Sequence, residues 1–157
     1  MRIAMVGAGY VGLVSGTCFA EFGHEVVVVD NDPAKIAALH EGRIPIYEPG
    51  LDRMVQENMA NGQLGFTTSL PEAVAGADAV FLAVGTPSRR GDGHADLSFV
   101  FAAAEEVARA VTGPTVLVTK STVPVGTGAK IRAIVRQARP DMTIDVASNP
   151  EFLREGS

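Results

Sequence analysis

Hydrophobic and polar positions along the chain alternate between two rhythms. Short apolar or β-branched runs occur at 3–6, 26–29, 65–68, 79–84, 115–119 and 143–147. Runs of this kind fit strands buried on both faces or pieces of buried helix, and periodicity alone does not separate the two. Glycine and turn residues at their flanks favour strands. Between them the spacing turns helical. In 10–22, Val11, Val14, Cys18 and Phe22 recur at helical intervals, which predicts a helix with those four facing the sheet. Asp32-Pro33 opens a second helix that runs to about His40, with proline at a tolerated first-turn position. Further helices are predicted over about 51–60, 71–75, 99–111 and from 127 to just before Pro140. The segments GRIPIYEPG (42–50) and GTPSRRGDGHADL (85–97) are turn-rich and read as loops.

Strands alternating with helices imply an α/β fold, a doubly wound parallel sheet with helices on both faces. No repeat, low-complexity stretch or linker interrupts 1–157, so one domain is expected. At 157 residues the chain is long enough to bury a full core without disulfide or metal. Its single cysteine excludes an internal disulfide framework and a multi-cysteine metal site. No histidine has a ligand partner at suitable spacing, so no metal site is expected. A net charge of −5 argues against nucleic acid as the main partner. No apolar run reaches the roughly 20 residues of a membrane span, and no signal peptide is read at Met1-Arg2. A cytoplasmic location is expected.

Composition leaves function open; the first strand–helix junction narrows it. Gly7-Ala8-Gly9-Tyr10-Val11-Gly12 matches G-x-G-x-x-G, a weak pattern that gains force because a strand precedes it and a helix follows. Gly7 permits a tight turn, Gly9 admits a pyrophosphate close to the backbone, and Gly12 allows close helix–strand packing. The helix N-terminus supplies positive potential for phosphates. Asp30 ends the second strand, where a carboxylate receives the adenosine ribose hydroxyls and repels a 2′-phosphate, favouring NAD over NADP. Asp30 as a plain turn cap is the competing reading. Lys35 can reach the adenosine side or stand as a solvated helix lysine.

In an open α/β sheet, ligands bind beyond the carboxyl ends of the strands. Those ends carry Gly85-Thr86-Pro87, Lys120-Ser121-Thr122 and Asn149-Pro150-Glu151. Thr86 and Thr122 are therefore candidates to touch cofactor or a reacting water, against the alternative of local turn hydroxyls. If Pro150 starts a helix, Glu151 and Glu155 share one face. They then offer a general base and a cofactor contact, or form a solvated helix start. Cys18, placed on the predicted buried stripe, is expected to be inert.

Five stretches taken together, GAGYVGLVSGTCFAEFGHEVVVVD, IPIYEPGL, AVGTPSRRGDGHADL, KSTVPVGT and NPEFLREGS, resemble the N-terminal NAD-binding domain of the UDP-glucose 6-dehydrogenases. These belong to the UDP-glucose/GDP-mannose dehydrogenase family and have a Rossmann-type fold. The resemblance implies a twofold oxidation of the sugar C6 alcohol of UDP-glucose to UDP-glucuronate, with two NAD reduced. The second step passes through a thioester on a cysteine. It further implies Gly7, Gly9, Tyr10, Val11, Gly12, Asp30, Lys35, Thr86, Thr122 and Glu155 as NAD contacts. Thr122 and Glu151 resemble the pair that holds and activates a catalytic water. Glu151, Phe152, Leu153, Arg154 and Glu155 resemble a segment that touches the sugar nucleotide. The family's nucleophilic cysteine, its oxyanion-stabilising lysine and a central dimerisation helix lie in a C-terminal half that 1–157 does not contain. The chain therefore reads as a fragment of a homodimeric enzyme, cut just after EFLRE, that binds NAD without turnover. A GDP-mannose or UDP-N-acetylmannosamine dehydrogenase, another hydroxyacid dehydrogenase and a stand-alone dinucleotide-sensing module are the alternatives.

Overall fold

Residues two apart along each central strand face the same layer, and both layers are apolar. In the computed structural model, which describes residues 1–87 and 95–151, Ile3 and Met5 turn to one face of β1 (Arg2–Val6) and Ala4 to the other. Val26 and Val28 of β2 (Glu25–Val29) join Ile3 and Met5, while Val29 joins Ala4. A run of four valines is thus what a strand covered on both sides requires.

The remaining strands are β3 (Leu64–Thr67), β4 (Ala79–Leu82), β5 (Thr115–Thr119) and β6 (Ile144–Ser148). All neighbours pair in parallel, in the order β3-β2-β1-β4-β5-β6. Parallel neighbours need crossovers, and right-handed ones place successive helices on a fixed side. Helices α1 (Tyr10–Glu21), α2 (Pro33–His40) and α3 (Leu51–Ala60) cover one face. Helices α4 (Leu70–Val74), α5 (Ser98–Ala110) and α6 (Thr127–Ala138) cover the other. The order reverses direction between β1 and β4, which is the topological switch point where such sheets bind ligands.

The expected elements are all present, with small shifts at their ends. The strand expected over 79–84 stops at Leu82, because the amides of Lys120 and Ser121 both converge on the Leu82 carbonyl and close its pairing with β5. The third and sixth strands are displaced by one residue, to 64–67 and 144–148.

The buried face of α1 overturns the predicted stripe. The residues facing inward are Gly12, Leu13, Ser15, Gly16, Thr17 and Ala20. Val11, Val14 and Cys18 are half-buried on its flanks, and Phe22 is 76% exposed. The reason is distance. A Cβ at Gly16 would lie 3.2 Å from Cγ2 of Val28, so at this point α1 sits too close to the sheet for a larger side chain. Cys18 is thus half-buried rather than core. Burial, and then the charge of Glu21, push its thiol above the ordinary range, which keeps it inert.

Coverage is uneven at the far side of the sheet. Ile144 and Val146 pack toward α5 and α6, but Asp145 and Ala147 on the opposite face are exposed, as is Val116 of β5. Helices α1–α3 therefore shield β3, β2 and β1 but not β5 and β6. Among the described residues no helix is long and apolar enough to cross a membrane.

Candidate functional site

The carboxyl end of β1 turns through Gly7, whose φ of +110° is a conformation that side-chain-bearing residues rarely adopt. A Cβ there would also meet the Ala83 carbonyl at 2.6 Å, so the turn fits against the end of β4 only as glycine. At Gly12 an added Cβ would lie 1.8 Å from the Gly7 carbonyl oxygen. Gly12 therefore seats the first turn of α1 on the loop that precedes it. This contact, more than helix–strand packing, is what position 12 provides; the close helix–strand approach belongs to Gly16, which the motif does not single out. Gly9 differs from both. Nothing lies within 4 Å of its Cβ position, and the residue is exposed. The protein itself does not require glycine there.

Helix α1 starts at Gly9 with no side-chain cap and no acidic residue in its first turn. Its N-terminal amides and the positive end of its dipole face the glycine loop. That is a site for an anion, and phosphates are the common occupant.

Asp30 closes the other side of the loop. Its Oδ2 accepts from the Ala8 amide at 2.8 Å and from Lys35 Nζ at 2.9 Å, and its Oδ1 accepts from the Asp32 amide at 3.0 Å. Burial pushes this carboxyl upward, but Lys35 and the amides of Ala8 and Asp32 outweigh it and hold the group below its ordinary value. The side chain is 10% exposed and that of Lys35 29%. Lys35 is presented by α2, whose start is fixed by Asp32 accepting from the amides of Ala34 and Lys35.

These residues open onto a cleft of about 730 Å³ at the switch point. Gly7, Gly9, Asp30 and Lys35 line one wall and Gly85 and Pro87 another. Leu70, Thr68 and the α5 residues Phe99, Ala102 and Glu106 complete it. The volume lies within the range of small-molecule and cofactor sites. Sequence reasoning did not select the α5 wall. Its signals were a large apolar residue, Phe99, at a helix start and the small residues that follow it; Phe99 is 54% exposed at the cleft.

The other expected residues lie along the same sheet edge. Thr86, between Gly85 and Pro87, is half-buried, and Tyr10 and Val11 are half-buried in the first turn of α1. The Tyr10 hydroxyl donates to Glu48 at 3.1 Å, which ties the 42–50 excursion to the start of the helix. Thr122 is exposed beyond β5, and Glu151 is half-buried beyond β6. Neither lines the cleft. Lys120 Nζ donates to Asn149 Oδ1 at 3.0 Å, and the Asn149 amide donates to Thr119, so the turns carrying Thr122 and Glu151 are joined side by side. Between them Ser121 is buried; its hydroxyl donates to the Val84 carbonyl at 2.7 Å and holds the end of β4. Glu151 is not helical, and Phe152, Leu153, Arg154 and Glu155 lie outside the described residues, as does His94.

Comparison with known proteins gives one consistent picture. The family description "UDP-glucose/GDP-mannose dehydrogenase family, NAD binding domain" matches residues 1–157. A UDP-glucose 6-dehydrogenase of Rhizobium meliloti is 64% identical over the whole chain, which spans 36% of that protein. Among solved structures, a UDP-glucose dehydrogenase from Pyrobaculum islandicum superposes with a TM-score of 0.92 at 45% identity. A GDP-mannose dehydrogenase from Pseudomonas aeruginosa gives the same TM-score at 36% identity. In each structure 99% of this chain matches 37% of the other, so it spans about a third of the length of these relatives.

Proposed function

Because the chain belongs to the UDP-glucose/GDP-mannose dehydrogenase family, matching its NAD binding domain from end to end, we propose that it is the cofactor-holding part of a UDP-glucose 6-dehydrogenase. The observation that carries this reading is the contrast within the glycine loop. Gly7 and Gly12 are demanded by the protein's own backbone, whereas Gly9 faces open space beside an uncapped helix start. An open glycine there makes sense when a bound group, the pyrophosphate of NAD, must approach the backbone.

In this reading the amides of the glycine loop and of the first turn of α1 hold the pyrophosphate. Asp30 accepts the adenosine ribose hydroxyls with Lys35 beside it. Phe99, Leu70 and Pro87 give the adenine an apolar slot. The nicotinamide half then extends along the strand ends toward Thr86 and Thr122, and the family resemblance adds Glu155 as a contact. When bound, NAD supplies the hydride acceptor. The chain's own part in the chemistry falls to Thr122 and Glu151, on turns joined through Lys120 and Asn149. Thr122 orients a water, and Glu151 takes its proton as general base. Residues 151–155 contact the sugar nucleotide.

Residues 1–157 form the cofactor domain, and the family's central helix and C-terminal substrate domain lie in the remainder of a cytoplasmic, homodimeric enzyme. The family resemblance assigns the nucleophilic cysteine to that remainder; Cys18 is on α1, away from the cleft. UDP-glucose is favoured over GDP-mannose by identity, 64% and 45% against 36%, while the folds superpose equally well.

Two measurements test the reading. Calorimetric titration is expected to give saturable NAD binding by this chain. Gly9→Ala should weaken it by about tenfold or more, the added methyl standing in the pyrophosphate's path, while thermal stability stays within about 0.5 kcal/mol. Equal affinity of the variant and the parent would overturn the loop assignment. With saturating NAD and UDP-glucose, no steady rise in NADH absorbance is expected. Sustained turnover would overturn the division of the site between this chain and the remainder.

A further inference from the structure

Most polar side chains of the cleft come from the ends of β2 and β3, where Asp30, Asn31, Lys35 and Thr68 line it. The α5 wall differs. Phe99, Ala102, Ala103 and Glu106 lie three or four residues apart, so one face of the helix meets the cleft. That face is apolar but for Glu106. From Phe99 to Glu106 it runs about 10 Å along the helix. A helical side chain covers the turn N-terminal to its own Cα, which carries the Glu106 carboxylate back toward Ala102 and Ala103. The two methyls leave a low floor between the Phe99 ring and the carboxylate. Glu106 is exposed and uncommitted. Arg109, three residues on, pairs with Glu105, and among the described residues Glu106 has no hydrogen bond or ion pair. A lone carboxylate in the wall of a cleft for an anionic dinucleotide repels its ligand unless it accepts a hydrogen bond from it.

Resting on the NAD reading above, we propose that Glu106 reads the adenine base, its carboxylate accepting a hydrogen bond from the 6-amino group. In adenosine that amine stands on the purine edge remote from the ribose. With the ribose at Asp30 and the pyrophosphate at the glycine loop, the base extends toward α5, amine foremost. It then lies over Ala102 and Ala103, with Phe99 and Leu70 against its faces. An ionised carboxylate accepts but cannot donate, so it takes an amine at that place and rejects a carbonyl oxygen. The apolar slot alone would hold any flat base; Glu106 makes it select among them.

The test compares, by calorimetry, binding of NAD and of the same dinucleotide with hypoxanthine in place of adenine, which carries an oxygen where adenine has its amine. The proteins are the unmodified chain, Glu106→Gln, Glu106→Ala and Glu105→Gln. The unmodified chain is expected to prefer NAD by about tenfold. Glu106→Gln and Glu106→Ala should bring the two affinities within about twofold of each other, while Glu105→Gln keeps the preference. The ratio is the decisive reading, because removing a negative charge by itself would tighten both dinucleotides alike. Glu106 is exposed, so its variants should unfold thermally as the parent does. Equal affinities in the unmodified chain overturn the proposal, and so does a preference that survives both Glu106 substitutions. Failure of the unmodified chain to bind NAD would instead strike the cofactor assignment on which the proposal stands.

Discussion

Around β1 and β2 the ligand edge is fixed by backbone. Gly7 abuts the Ala83 carbonyl, Gly12 rests on Gly7, and the Ala8 amide is anchored to Asp30. Around β5 and β6 side chains join the backbone amides in holding the edge. Lys120 bridges to Asn149, Ser121 ties back to β4, and Thr122 stands exposed. The first region is backed by α1–α3 and the second is bare on that face. The contrast separates two tasks. Holding a nucleotide needs amides and a carboxylate in fixed places, which a closed βαβ unit provides. In the reading proposed above, the second region presents Thr122 and Glu151 to the chemistry.

Glycine substitution is the sharpest way to break the comparison. Gly12→Ala puts a methyl into backbone that cannot yield, and should cost about 3 kcal/mol or more, with NAD binding lost as well. Gly128→Ala, in the first turn of α6 where the Cβ position is open, should be neutral or stabilise by up to about 0.5 kcal/mol. Thermal melts of the two variants check this, and equal losses would erase the distinction between the halves. Next in size is the hydroxyl pair beyond β5. Ser121→Ala should cost about 1–2 kcal/mol by removing the donor to Val84 and Leu82. Thr122→Ala should change stability by less than about 0.5 kcal/mol. Denaturant titration distinguishes them.

The smallest effect is electrostatic and confined to the first region. Because the folded state holds Asp30 below its ordinary value, its contribution is complete above the unfolded aspartate pKa of about 3.9 and is lost as pH falls through the lowered value. The stability gap between the parent and Asp30→Asn, about 1 kcal/mol near neutrality, should therefore shrink below about pH 4. A gap that held constant into acid would mean that the ion pair with Lys35 contributes nothing.

Much of this was legible in the chain because its signals are local. Four consecutive valines announce a strand covered on both faces, and Gly7-Ala8-Gly9 between strand and helix announces the nucleotide loop. The misreading of α1 is equally instructive. Counting apolar residues selected Val11, Val14, Cys18 and Phe22, but where a helix is pressed onto a sheet the contact takes a small residue, so Gly16 marks the inner face. That Ser121, and not its neighbour Thr122, is the buried hydroxyl was not legible, since adjacent hydroxyls look alike until the path of the turn decides which one points inward. The Asp30–Lys35 pair spans five residues around a helix cap, a spacing that no helical or strand period highlights. The α5 wall of the cleft is assembled from distant segments and carried only the weak signal of Phe99.

The pairing of β1 with β4 has a kinetic side. It joins Ile3 to Ala79, and alongside it the Arg2 amide to Asp78, across 76 residues of chain. The β1–β2 pairing spans only 23, from Ile3 to Val26. Closing the longer loop costs conformational entropy before any of its contacts is made. The seam that defines the cleft is therefore the least local feature of the N-terminal half. A nascent chain can complete the glycine loop and its helix well before it has a groove in which to hold a nucleotide.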